Sequence, residues 1–81
     1  MMKVQYYGNI RTFTHRTEED FPVDNLGALM DEIKTIHGKD ALKAMKSSMV
    51  TLDGARIDVL RRSVKLPANC TVGIFPLCGG G

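Results

Sequence analysis

The sequence predicts one small α+β roll, a β-sheet with helices packed on one of its faces. Three observations lead there. The chain opens with a strand-like run, Lys3 to Tyr7, and closes with another, Cys70 to Phe75. Between them, Leu26, Leu29, Met30, Ile33 and Ile36 recur at the i, i+3, i+4, i+7 spacing of one helical face. The length, 81 residues, suits a single domain. A domain of this size buries roughly 60–65% of its unfolded surface, so its core is small and a deep private active site is not expected.

Each element follows from local chemistry. Lys3-Val4-Gln5-Tyr6-Tyr7 is rich in β-branched and aromatic residues. Gly8-Asn9 suits a tight hairpin, which makes Ile10 to Arg16 the second strand. A longer connection with the second strand at Thr17 to Val23 is the other arrangement, and both stand open at this point. Asp24 is placed to cap the main helix, whose polar side carries Asp31, Glu32 and Lys34. Gly38 ends it by reaching the left-handed conformation cheaply. A short helix over Asp40 to Lys46 turns Leu42 and Met45 inward. Met49 to Leu52 reads as a strand, Asp53-Gly54 as its turn, and Arg56-Ile57 as the start of a return strand. Asp58 to Lys65 fits no single template. Leu66 to Asn69 turns into the last strand, which Pro76 closes because it lacks a ladder donor.

Bulk properties exclude several classes. Apolar residues make up 43% and charged residues 25%, ordinary values for a folded soluble domain. A net charge of +2 is far from the basic excess of a nucleic-acid binder. No apolar run approaches the roughly 18 residues that span a membrane, and Met1-Met2-Lys3-Val4 lacks a signal-peptide apolar region, so the expected location is cytoplasmic. Cys70 and Cys78 match no metal or haem spacing, and His15 and His37 lie far off. No metal site is expected. Cys70 is read as half-buried and Cys78 as incidental. Met30, Met45 and Met49 are read as core filler, and His37 is given no role. No nucleophile–base pair or paired carboxylates suggest a catalyst.

The informative stretch is Gly73-Ile74-Phe75-Pro76-Leu77-Cys78-Gly79-Gly80-Gly81. A final strand runs into proline and then into glycines. Residues 1–77 are expected to form the domain, and 78–81 a flexible glycine tail. Without Cβ atoms, Gly79 and Gly80 fit a channel too narrow for other residues. The α-carboxylate of Gly81 is ionised at neutral pH, with a reference pKa of about 3.5. It is a poor electrophile, so a partner enzyme must activate it, and the chain is then a substrate rather than an enzyme.

These residues resemble the MoaD/ThiS family of ubiquitin-like sulfur carriers, most of all its molybdopterin synthase small-subunit type. The match is Phe75-Pro76, three intervening residues, and Gly80-Gly81. The opening strand, the helix from Leu26 and Val50-Thr51-Leu52-Asp53-Gly54 also sit where the family places them. The resemblance implies a β-grasp roll, a mixed sheet of four to five strands on one main helix. It implies that an E1-like adenylyltransferase uses ATP to adenylate Gly81, and that a thiocarboxylate then forms. The recipient is the molybdopterin synthase large subunit or, in the thiamin branch, a thiazole synthase. The chain itself binds no cofactor. Ala68-Asn69-Cys70 lacks the acidic turn common in the family, and the short Gly8-Asn9 step is closer to the thiamin branch. The Phe-Pro step and the length point to molybdopterin. The same tail also fits a ubiquitin-like protein modifier. A plain binding module, for which the glycines are dispensable, is the alternative of another class.

Side-chain alternation completes the expectation. Val72 and Ile74 share the helix-covered face with Val4 and Tyr6. Phe75 and Tyr7 then fall on the open face as an aromatic patch beside the tail. With Pro76 they are the expected partner-binding residues, since such patches mark partner surfaces. Arg56, Arg61, Arg62 and Lys65 form a modest basic cluster, better read as a solvated loop face than as a device for steering towards an acidic enzyme.

Overall fold

The computed structural model describes residues 1–77. Strands β1 (Met2–Tyr6), β2 (Glu18–Phe21), β3 (Ser48–Leu52), β4 (Ala55–Ile57) and β5 (Thr71–Pro76) alternate with helices α1 (Arg11–Thr14), α2 (Leu26–His37) and α3 (Lys39–Lys46). The five strands form one mixed sheet in the order β2-β1-β5-β3-β4. The first and last strands of the chain pair in parallel near its middle, with Val4 opposite Val72 and Tyr6 opposite Ile74. The other pairings are antiparallel. This is the α+β roll expected from the sequence.

The core lies between the sheet and its helices. Val4, Tyr6, Val50, Val72 and Ile74 are buried from the sheet, and Leu26, Leu29, Met30 and Ile33 from α2. Burying each large apolar side chain contributes roughly 1.5–3 kcal/mol. The face of α2 is shorter than its spacing predicts, because Ile36 in the last turn is 53% exposed. In α3, Ala41 and Met45 are buried and Leu42 only partly so. Gly38 does end α2, but with φ 96° and ψ 169°. That conformation is not the left-handed helical one expected, and it joins α2 directly to α3.

The second strand is the largest departure. Gly8-Asn9 does not form a hairpin turn. Gly8–Ile10 is a 3-10 turn that runs into α1, and β2 lies within Thr17 to Val23. Ile10 is fully buried, so this segment folds as a short helical cap over the core rather than as a strand. His15 ends α1 at φ 58°, and Thr17 then accepts from the Tyr6 N–H at 2.8 Å.

The cap of α2 also differs by one residue. Asn25, not Asp24, is the N-cap, and its Oδ1 accepts from the Ala28 N–H at 2.8 Å. Asp24 is engaged elsewhere, with its carbonyl accepting from Leu66 N–H at 2.9 Å. The Asp53-Gly54 turn is as expected, with φ 48° and 90°, the paired positive values of a two-residue hairpin loop.

The segment Asp58 to Lys65 forms turns rather than a helix or a long strand. It is held to the start of α2. Leu26 and Gly27 N–H donate to the carbonyls of Val64 and Arg62, each at 2.9 Å. The Arg62 guanidinium contacts both Asp31 carboxylate oxygens, at 2.9 and 3.0 Å, and the Gly27 carbonyl at 3.2 Å. A Cβ on Gly27 would stand 3.1 Å from Arg62 Cβ and 3.2 Å from its carbonyl oxygen, so glycine permits this close approach.

One polar cluster sits on the covered face. Alternation along β2 turns Glu19 inward beside Val4. Its Oε1 accepts from Tyr6 Oη at 2.8 Å and lies 2.7 Å from His37 Nε2. A carboxylate can only accept, so His37 presents Nε2–H to it. The Tyr6 ring meets the His37 ring edge-on at 6.2 Å. Burial, then the hydrogen bond to Glu19, pushes the Tyr6 hydroxyl well above its ordinary pKa of 10.0. The native state therefore keeps this proton where the unfolded chain loses it. The stabilisation is complete below pH 10 and is lost as pH rises towards the native value.

Two outcomes follow. Gly27→Val should lower stability by about 1–3 kcal/mol in denaturant unfolding, through overpacking against the Arg62 backbone. Above pH 10, wild-type stability should fall by up to about 1.4 kcal/mol per pH unit through Tyr6, and Tyr6→Phe should remove that component of the slope.

Candidate functional site

The candidate site is the end of the sheet at which β5 finishes. Tyr7 follows β1 directly, and its N–H donates to the Ile74 carbonyl at 3.1 Å, extending the parallel ladder by one step. Its ring lies on the open face, stacked on Phe75 with centroids 4.3 Å apart and planes 7° from parallel. The Tyr7 hydroxyl donates to Gln5 Oε1 at 2.8 Å, which fixes the ring along the strand.

The expected aromatic pair is therefore present, but neither ring stands free. Both are half-buried, because each covers the other. Gly73 makes room for the Phe75 ring. A Cβ there would stand 2.7 Å from Phe75 Cε2 and 2.8 Å from Thr51 Oγ1. Met49 pairs with Phe75 across β3 and is half-buried, so it flanks the patch rather than filling the core. Pro76 is the last residue of β5, paired with Ser48. Its ring packs against Gly8, where a Cβ would approach Pro76 Cγ to 3.3 Å and where φ is +65°. Tyr7 and Gly8 thus hold two consecutive residues, Phe75 and Pro76, at the strand exit. Leu77 follows and is 60% exposed.

Gly79, Gly80 and Gly81, the expected reactive tail, lie outside the described residues, as does Cys78. Cys70 is buried rather than half-buried, at the turn before β5. Desolvation, with the nearby Asp53 carboxylate, pushes its thiol pKa up, which disfavours the reactive thiolate. Among the described residues, no three His, Cys, Asp or Glu side chains converge as a metal-ligand set. No helix among them is long and apolar enough to cross a membrane.

Sequence reasoning missed three features of the site's support. These are the Gly8–Pro76 contact, the Gly73 space under Phe75, and the Glu19–His37 pair behind β1. Only Gly73 had a usable signal, as a glycine interrupting a strand pattern one alternation from an aromatic residue.

No protein-family model and no curated protein matches the sequence. Solved structures match the fold along most of the chain. One is a putative molybdopterin converting factor subunit 1 from Pyrococcus furiosus, at 22% identity and TM-score 0.68, with 93% of this chain and 94% of that one covered. A chain of the BexX/CysO complex from Amycolatopsis orientalis matches at 15% identity and TM-score 0.80, with both chains covered in full at 100%. SAMP1 from Haloferax volcanii matches at 16% identity and TM-score 0.72, with 99% and 98% covered. At these identities the likeness establishes the fold, a ubiquitin-like β-grasp.

The stacked pair supplies a direct test. A double-mutant cycle of Tyr7→Ala and Phe75→Ala in urea unfolding should return a coupling of about 0.5–1.5 kcal/mol, as for other aromatic pairs. Additive single effects would mean that the stack contributes no more than its buried area.

Proposed function

We propose that this chain is a sulfur carrier of the MoaD/ThiS type, a co-substrate protein rather than a catalyst. The observation that carries the reading is the junction of a β-grasp body with the sequence Phe75-Pro76-Leu77-Cys78-Gly79-Gly80-Gly81 at the exit of β5. The fold supplies a rigid platform, and Phe75 and Pro76 are anchored at the point where the reactive segment begins.

The chemistry follows from the carboxylate. A Gly81 oxygen attacks the α-phosphorus of ATP in an E1-like adenylyltransferase, and pyrophosphate leaves. The acyl adenylate is then an electrophile. A persulfide sulfur attacks its carbonyl carbon, and AMP departs with the C–O bond electrons. A second thiol attacks the resulting acyl disulfide at the outer sulfur. The S–S bond breaks, the acyl-bound sulfur leaves with its electrons as the thiocarboxylate, and the attacked sulfur ends in a disulfide with the second thiol. Gly79 and Gly80 offer a segment slim enough to cross a narrow channel. Tyr7, Phe75 and Pro76 form the docking surface on the open face. The recipient proposed is the large subunit of molybdopterin synthase, supported by the Phe-Pro step and by the fold likeness to a molybdopterin converting factor subunit. The activity belongs in the cytoplasm, with its ATP-dependent partners.

A protein-modifier reading draws on the likeness to small archaeal modifier protein 1 of Haloferax volcanii, at 15% identity and TM-score 0.63. In that reading a target lysine amine, in place of the persulfide, attacks the Gly81 acyl adenylate, AMP and a proton depart, and an isopeptide bond forms.

Intact-mass measurement on chain recovered from its own cells separates these outcomes. A fraction with one oxygen replaced by sulfur is expected, and deleting Gly81 should abolish it. Loading that persists without Gly81 would refute the carrier reading, and isopeptide remnants of the tail on other proteins would favour the modifier.

A further inference from the structure

A second surface lies beside the tail base, away from the aromatic patch. A depression of about 430 Å³ runs between the end of α3 and the turn after β4. Ile57, Val59 and Leu60 line it together with Leu77, the residue that leads into the tail. Leu60 is 69% exposed and Leu77 60% exposed. They are two of the three large apolar side chains at least 60% exposed among the described residues, and both line the same groove.

The rim is basic. Lys46 and Arg56 line the groove, and a second depression continues from Arg56 along Arg61 and Lys65. Asp58 is the one acid lining both, and its Oδ1 already accepts from Leu60 N–H at 3.0 Å. Lys3 and Arg62 are paired with Glu18 and Asp31. Among the described residues, no carboxylate pairs with Lys46, Arg56, Arg61 or Lys65. The basic cluster read from the sequence thus divides. Arg62 is structural, held by Asp31, while Arg56 lines the exposed apolar groove and Arg61 and Lys65 line the depression that adjoins it.

We infer that this groove docks an acidic segment bearing an apolar side chain, on the E1-like adenylyltransferase that activates Gly81. The inference rests on the carrier reading. Leu77 lines the groove together with Leu60, so a partner that takes up the residues after Leu77 binds beside Leu60 and the basic rim. An apolar anchor desolvated between the two leucines, with carboxylates meeting Lys46 and Arg56, matches both features. Charge complementarity of this kind acts mainly on the encounter rate and is weakened by salt.

The test measures the initial rate at which N-terminally tagged chain gains sulfur in clarified lysate of its own cells with ATP, read by intact mass. Leu60→Asp and the charge-only variant Lys46→Glu/Arg56→Glu should each load at least roughly fivefold more slowly than wild type at low salt. Ile36→Asp removes an exposed apolar side chain outside the groove and should load normally. Raising salt from roughly 0.05 to 0.5 M should slow wild type towards the charge variant, which a folding defect would not imitate. The charge variant removes no apolar contact and serves if Leu60→Asp folds poorly. Equal loading of wild type and the charge variant at low salt would overturn this inference alone. An unloaded wild type would overturn the carrier reading and this inference with it.

Discussion

The parallel pairing of β1 with β5 is the constraint on which the rest of the fold depends. Two parallel strands cannot be joined by a tight turn. Here the connection between them is nearly the whole chain, so both helices of the main layer, the β3–β4 hairpin and the turns after it must fit into one crossover. The pairing also decides where the chain leaves the sheet. Because β1 and β5 run the same way, the segment after β1 and the segment after β5 emerge at the same end. Tyr7-Gly8 therefore meets Phe75-Pro76, and the candidate site is assembled from residues nearly seventy positions apart.

That arrangement has a cost on the covered face. A four-residue edge strand that carries Glu18, Glu19 and Asp20 protects the sheet edge from pairing with other chains. Alternation nevertheless turns one of these acids towards the core. Leaving a carboxylate there without partners would cost several kcal/mol. Tyr6 and His37 supply the two donors, and in doing so tie β1, β2 and the last turn of α2 together. Among the described residues, no buried side-chain nitrogen or oxygen lacks a partner. The cluster thus converts a device for edge protection into a tertiary contact.

The elements that were legible in the sequence are those whose signal is local. The α2 face, the Asp53-Gly54 turn and β5 each announce themselves through periodicity or turn chemistry. Tyr7 and Phe75 on one face followed from alternation once both strands were assigned. The segment from Gly8 to Arg16 misled for a physical reason. Ile10, Thr12, Phe13 and Thr14 are good strand formers, but that preference is worth less than burying Ile10 beneath a helical cap. Asp24 and Asn25 are equally good caps by chemistry, and the choice between them is made by the Leu66 N–H, a long-range partner. The Glu19–His37 pair was illegible because it depends on which of two candidate second strands forms. The basic cluster could not be divided by composition, since only the position of Asp31 distinguishes Arg62 from its neighbours.

The geometry at the strand exit also bears on why a folded body should accompany so plain a terminus. Under the proposed function, the reacting atom belongs to a glycine. Glycine brings no side chain to a partner's channel, and holding each one in a single conformation costs roughly 1–2 kcal/mol of backbone entropy. Affinity must therefore come from outside the tail. Phe75 and Pro76 stand where the sheet ends, already ordered by Tyr7 and Gly8, so a partner that docks on them incurs little further ordering cost. The first residue beyond them, Leu77, borders the basic groove on the other side of the exit. Docking on the open face and docking in the groove would then grip the chain from both sides of its last ordered residues. The direction in which Gly79 to Gly81 enter a partner would follow from the body's orientation, with no recognition of the glycines themselves.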